Sequence, residues 1–182
     1  NGKYIAYYSD ATGEYEIYLL ENKKGAKPAQ ITSGSSAWKY DNEGSPDNKY
    51  LLYSDRTLNL KLFDVESQKE IMVTHAADTE IRNYSFSPDS RWIIYSKETP
   101  NGQSAVWVYN ITEQTNHLLT RKIFNDYSPV FSDDGNYVFF LSNRDFNLEF
   151  SDFEFDYIYN DAARIYAVTL EADGPEIFKK KN

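Results

Sequence analysis

A β-propeller of about four four-stranded antiparallel blades is the fold class predicted by two observations. A short motif recurs four times at a spacing in the forties, and aromatic and β-branched residues dominate the apolar set. The motif opens the chain as Asn1-Gly2 followed by Lys3-Tyr4-Ile5-Ala6-Tyr7. It returns as Ser45-Pro46-Asp47-Asn48 before Lys49-Tyr50-Leu51-Leu52-Tyr53, and as Ser87-Pro88-Asp89-Ser90 before Arg91-Trp92-Ile93-Ile94-Tyr95. The last copy is Ser132-Asp133-Asp134-Gly135 before Asn136-Tyr137-Val138-Phe139-Phe140. Aligned on Lys3, Lys49, Arg91 and Asn136, the steps are 46, 42 and 45 residues. Sixteen Tyr and 11 Phe stand against a single Met, a bias toward pleated, half-buried surfaces.

Each repeat reads as four strands. In the third copy Tyr84-Ser85-Phe86 is the first strand and Ser87-Pro88-Asp89-Ser90 the turn. Pro pre-sets φ there, and the Asp side chain can bond back to the backbone. The next position favours φ > 0, which suits Gly135, is tolerated by Asn48 and strains Ser90 most. The second strand, Trp92-Ile93-Ile94-Tyr95, is apolar throughout, as expected of a strand covered on both faces by stacked blades. Third strands are predicted at Glu16–Leu20, Leu60–Asp64, Val106–Asn110 and Ile165–Thr169. Outermost fourth strands are predicted at Gln30–Thr32, Met72–Thr74, Leu118–Thr120 and Glu176–Phe178. Polar turns join each pair: Asn22–Gly25, Glu66–Lys69, Thr112–Thr115 and Ala172–Pro175.

The blades so read span 1–34, 35–76, 77–122 and 123–182, all within one partial propeller, the last carrying an insertion at 145–163. The first copy lacks its first strand, and Lys179-Lys180-Lys181-Asn182 is too short and basic to supply it. The expectation is an open arc of a larger six- or seven-bladed ring. Its bare end faces would meet more blades, another chain or a second copy of itself.

Ser-Pro-Asp-Gly-type turns before Tyr-rich strands resemble TolB-like propellers, a pattern shared with prolyl-oligopeptidase-type hydrolases. The fourth copy is more specific. Phe140-Leu141-Ser142-Asn143-Arg144-Asp145-Phe146-Asn147, the long aromatic insertion and then Asn160-Asp161-Ala162-Ala163-Arg164-Ile165-Tyr166-Ala167-Val168-Thr169-Leu170 resemble bacterial tricorn-protease homologues, within their N-terminal propeller. The resemblance implies a longer parent with a PDZ domain and a serine-peptidase core. There, propellers sieve unfolded peptides and scaffold the catalytic part. It further implies a periplasmic or exported location, with a cytoplasmic one left open. Two other readings stay open: a TolB-like protein-binding propeller with no enzyme attached, and the propeller of a prolyl-oligopeptidase-type hydrolase.

No catalytic residue is predicted within these 182 residues. A nucleophile needs a neighbouring base, and the two histidines, His75 and His117, fall beside fourth strands on the outer rim. No Gly-x-Ser-x-Gly elbow, His-Glu-x-x-His pair or phosphate-cradling glycine loop is present. No metal and no cofactor is expected; the acids of Asp47 and Asp133-Asp134 read as turn formers, since their spacing is not that of a calcium loop. The absence of cysteine excludes a disulfide framework. A net charge of -9 argues against nucleic acid, and no apolar run is long enough for a membrane-spanning helix. The candidate contact residues are Phe146, Phe150, Phe153, Phe155, Tyr157 and Tyr159. These rings lie in an insertion rich in acids, and Phe153 to Tyr159 alternate as one aromatic face of an extended segment. That face is either a lid packed on the propeller or a docking surface for peptide or the peptidase core. Arg121 and Lys122, between the third and fourth blades, form a basic pair that could hold a peptide carboxylate or could simply be a solvated linker.

Overall fold

A computed structural model describes residues 2–34, 37–145, 147–150, 157–160, 162–172 and 174–177, with 147–150 and 157–160 described through their backbone alone. The Ser-x-Asp turns account for much of the local order. Ser45 Oγ donates to Asp47 Oδ1 at 2.7 Å and accepts the Tyr50 N–H, while the Asp47 carboxylate takes the Lys49 N–H. Ser87 and Asp89 repeat this with Trp92 and Arg91, and Ser132 and Asp134 with Tyr137 and Asn136. The position after each Asp has positive φ: 62° at Asn48, 60° at Ser90 and 72° at Gly135.

Ser90 has a reason to accept that conformation. Its Oγ receives the Asp47 N–H at 3.1 Å, tying the turn of one blade to the turn of the next. Ser90→Ala loses the bond and keeps the strain, and should cost about 1–2 kcal/mol. Ser90→Gly exchanges one for the other and should lie within about 0.5 kcal/mol of the parent. Urea midpoints of the two variants check the difference.

The strands are β1 Tyr4–Ser9, β2 Glu16–Glu21, β3 Ala29–Gln30, β4 Lys39–Gly44, β5 Tyr50–Asp55, β6 Asn59–Asp64, β7 Lys69–His75 and β8 Tyr84–Phe86. They continue as β9 Trp92–Glu98, β10 Ser104–Asn110, β11 Thr115–Leu118, β12 Asp126–Phe131, β13 Tyr137–Ser142, β14 Asn147–Phe150, β15 Tyr157–Asn160 and β16 Arg164–Thr169. They form antiparallel sheets in the orders β1-β2-β3, β4-β5-β6-β7, β8-β9-β10-β11 and β12-β13-β16, with β14-β15 a separate hairpin. This is an all-β arrangement of propeller blades, with the first blade short of its innermost strand.

Three expected outer strands differ: β3 covers Ala29–Gln30 rather than Gln30–Thr32, and those of the last two blades depart further. Pairing of β11 begins at Thr115, opposite Asn110, rather than at Leu118. The Asn110 carboxamide oxygen caps the Thr112 and Glu113 N–H groups, and Gln114 at φ 54° turns the chain early. Asp64, Glu66, Ser67 and Gln68 build the same turn before β7. In the last blade, Glu176 and Ile177 belong to no strand, and Phe178 lies outside the described residues. Pro175 precedes them, cannot donate to a ladder, and is held instead through its carbonyl by the Tyr137 hydroxyl.

Three apolar layers fill the spaces between neighbouring blades. Ile17, Leu51, Tyr53 and Phe63 join the first to the second, with Ala6 and Tyr8 against them. Leu52, Leu60, Leu62, Ile81, Ile93 and Tyr95 lie in the layer between the second and third. Ile94, Val106, Val138 and Phe140 join the third to the fourth. Each fully buried Leu or Ile contributes about 1.5–3 kcal/mol, so these layers dominate the stability. The adjacent pair Ile93 and Ile94 serves two different layers, which is why the second strands show no polar alternation. The first strands of blades two and three are also bonded directly: the Tyr84 hydroxyl donates to the Asp41 carbonyl, and the Phe86 N–H donates to Glu43 Oε1 at 3.1 Å. Burial raises the Glu43 carboxyl pKa, a rise the Phe86 N–H opposes.

The two end faces of the arc carry apolar side chains. On the first, Ile5 is 47% exposed and the Tyr7 and Tyr18 rings stack at 5.7 Å; on the last, Ile165 is 74% exposed.

Candidate binding face

Strand alternation puts every second-to-third-strand loop at one end of the blades, together with the connections from one blade to the next. The Ser-x-Asp turns occupy the opposite end. Among the described residues, the sequence-predicted contact positions Arg121, Lys122, Phe150, Tyr157 and Tyr159 therefore fall on the loop end. Within the insertion, β14 and β15 pair antiparallel from Asn147↔Asn160 to Phe150↔Tyr157. Phe150 sits on β14, and Tyr157 and Tyr159 on β15. Phe146, Phe153 and Phe155 lie outside the described residues.

The root of the hairpin is fastened firmly. Asp126, fully buried at the start of β12, receives Arg144 Nη2 on both carboxylate oxygens at 2.8 Å. Arg144 Nε also donates to Ser142 Oγ at 2.9 Å. The guanidinium lies 4.5 Å from the Tyr166 ring centroid and 4.7 Å from that of Phe124. A planar cation with several donors fits this combination of stacking and ion pairing, which a lysine would not satisfy.

The basic residues at the junction of blades three and four are arranged differently from the Arg121-Lys122 pair. Arg121 is exposed and makes no hydrogen bond or ion pair among the described residues. Lys122 is brought to Lys97, and both ammonium groups lie 5.1 Å from the Trp107 ring centroid. Lys97 Nζ donates to Thr74 Oγ1 at 2.9 Å. Burial, reinforced by the Lys122 charge, lowers the Lys97 amine from its ordinary value. Two converging cations over one indole can attract an anion such as a carboxylate. Lys97 and Trp107 were missed from sequence because each sits in a regular strand stretch with nothing local to mark it.

A second constellation lies between the first two blades, where a cleft of about 370 Å³ is walled by Tyr8, Tyr15, Trp38 and Tyr40. The Tyr15 and Trp38 rings meet at 4.9 Å and 44°, and are 46% and 52% exposed. Beneath them runs a buried ion pair, Lys39 Nζ to Glu16 Oε2 at 2.9 Å, whose side chains are only 4% and 2% exposed. Thr32 Oγ1 donates to the same Glu16 oxygen at 2.5 Å and accepts the Ile17 N–H at 2.8 Å. Lys39 Nζ further bonds the Tyr15 carbonyl at 3.0 Å and the Ala37 carbonyl at 3.4 Å. At the far wall Arg82 lies 3.2 Å from the Tyr40 ring centroid and pairs with Glu80 at 2.7 Å. The Tyr40 hydroxyl also donates to Glu80. The available sequence signal was Trp38 itself, a large aromatic just after Gly34-Ser35-Ser36 in a connection between blades.

His75 and His117 do sit on the outermost strands, His75 Nδ1 beside Asn59 Oδ1 at 2.9 Å and His117 Nε2 beside Thr115 Oγ1 at 3.0 Å.

A tricorn protease homologue of Streptomyces coelicolor is 26% identical over 179 residues, covering 97% of this chain and 17% of that protein. The tricorn protease of Thermoplasma volcanium is 27% identical over 180 residues, covering 90% of this chain and 18% of that protein. A crystal structure of the tricorn protease superposes with a TM-score of 0.85 at 15% identity, over 97% of this chain and 18% of that one. A putative TolB from Agrobacterium tumefaciens gives a TM-score of 0.57 at 19% identity, over 93% and 72% of the two chains. The last two likenesses speak to the fold alone. The chain thus spans under a fifth of the length of these curated tricorn relatives. A family model described as the tricorn protease second beta propeller domain matches residues 1–182. The resemblance of the fourth copy implies the N-terminal propeller, whereas the matching description is of the second. The chain belongs to the tricorn protease second β-propeller domain family.

Proposed function

We propose that this chain is a non-catalytic propeller segment of a tricorn-type serine peptidase, where it gates unfolded peptides toward the proteolytic core and helps to scaffold that core. The observation that carries the reading is the family match along residues 1–182. The bare apolar end faces around Ile5 and Ile165 support it, because they suit further blades of a longer chain and would drive self-association if left uncovered. The mechanism is steric. A rigid ring of blades admits an extended chain and excludes a folded domain. The hairpin bearing Phe150, Tyr157 and Tyr159 and the basic residues Arg121 and Lys122 share the loop end, and are proposed to meet peptide or the peptidase core there.

The test uses the full-length protein and one substrate in two forms, unfolded and locked by a disulfide. The unfolded form should be cleaved much faster, and deleting residues 1–182 should narrow that preference. A preference untouched by the deletion would sink the gating role. A full-length protein with no peptidase activity would favour the TolB-like binding reading instead.

A further inference from the structure

The cleft between the first two blades has the makings of a cation site. Its walls are four aromatic rings, two of them half-exposed and tilted into a V, and aromatic faces attract ammonium and guanidinium groups. Its rim carries Asp41, whose exposed carboxylate makes no hydrogen bond or ion pair among the described residues. The other charges at the cleft are already matched: Lys39 by Glu16 and Arg82 by Glu80. Asp41 is thus the unmatched charge among the residues lining the cleft. The protein already displays the mode of recognition at the far wall, where the Arg82 guanidinium stacks on Tyr40.

The rings are also held in place before any ligand arrives. Lys39 bonds the carbonyls of Tyr15 and Ala37, and the Arg56 N–H bonds the Trp38 carbonyl at 2.8 Å. Both half-exposed rings therefore stand on backbone that is fixed from beneath, which lowers the ordering cost of binding.

We propose that the cleft formed by Tyr8, Tyr15, Trp38 and Tyr40, with Asp41 at its rim, binds the cationic side chain of an arginine or lysine in an extended peptide. The ring faces of Tyr15 and Trp38 take the flat of the cation, and Asp41 takes its N–H groups. The inference deepens the peptide-handling reading and rests on it for the source of the cation. A propeller wall with a basic-side-chain subsite would favour basic stretches of an unfolded chain, in keeping with the net charge of -9.

The probe is acetyl-arginine N-methylamide, compared with its uncharged citrulline analogue and with tetramethylammonium, titrated by NMR against the full-length protein. The arginine probe should bind about tenfold more tightly than the citrulline probe, the scale of a cation–π contact assisted by a carboxylate. Trp38→Ala should weaken it by about tenfold and Asp41→Asn by about fivefold. Both side chains are exposed, so neither change threatens the fold, and Trp38→Phe with intermediate affinity serves as a second aromatic variant. Equal binding of the arginine and citrulline probes, or arginine binding indifferent to Trp38→Ala, would overturn the proposal. Tetramethylammonium binding more tightly than the arginine probe would overturn the peptide source. The probes are too small to need sieving, so a failure here is separable from a failure of the gating experiment.

Discussion

Glu16→Gln is expected to destabilise the protein by about 3–5 kcal/mol, because it removes the counter-charge of a buried ammonium. Lys39 is 4% exposed, and its remaining partners would be two carbonyl oxygens, Tyr15 and Ala37. Two neutral acceptors cannot offset the cost of keeping a cation out of water, so the loss reflects the stranded charge and not the value of the pair. The double variant Glu16→Gln/Lys39→Met makes the distinction. With both charges gone the site is neutral, and most of the stability should return, short by about 1–2 kcal/mol for the carbonyls that lose a donor. A total stability of about 5–15 kcal/mol is usual for a domain, so the single change alone takes a large share. Urea denaturation of parent, single and double variants reads this directly. A single variant within about 1 kcal/mol of the parent would mean that water reaches Lys39 and that the first two blades are not locked as described.

The two residues of that pair show where sequence reading stops. The repeat announced the blades because its signals are local. A Ser-x-Asp turn needs only six consecutive residues, Ser45 to Tyr50 in the second blade, and an apolar run such as Trp92–Tyr95 declares burial on both faces by itself. Even the strained φ of Ser90 was legible from its alignment with Asn48 and Gly135. The partner that makes the strain tolerable, the Asp47 N–H, lies 43 residues away in the preceding blade's turn and was not. Glu16 and Lys39 are likewise ordinary charged residues in sequence; only the stacking of two blades puts both out of water. The same holds for the loop end. Composition flagged the aromatic insertion, and the structure gives it a paired backbone, β14 with β15. The Tyr15–Trp38 cleft and the Lys97–Lys122–Trp107 group combine residues from different blades or different strands, a coincidence that spacing does not encode. The misplaced outer strands have a further cause. Outer strands lack a covering blade edge, so apolar content marks them poorly, and turn chemistry at Asn110 and the break at Pro175 decided their limits instead.

Arg144→Ala should be as damaging as the loss of Glu16, and its consequence should be concentrated at the insertion. Asp126 is fully buried, and its described side-chain bonds come from Arg144 alone. Truncating the arginine strands that carboxylate, at about 3–5 kcal/mol, and removes a cation stacked near Phe124, Phe140 and Tyr166, worth about 0.5–1 kcal/mol per favourable ring. Arg144→Lys restores the charge but not the planar fork, and should recover only part of the loss. Asp126→Asn in the Arg144→Ala background tests the cause, since a neutral amide at position 126 no longer needs a counter-charge and should regain stability. The location gives a second readout. Arg144 is the last well-tied residue before the hairpin of β14 and β15, so weakening it should speed proteolytic cleavage between residues 145 and 163 more than cleavage in the Ser-x-Asp turns at the other end of the blades. Uniform acceleration at both ends would show that Arg144 supports the fourth blade as a whole; acceleration confined to the insertion would show that the ion pair is the device that sets the hairpin on the loop end.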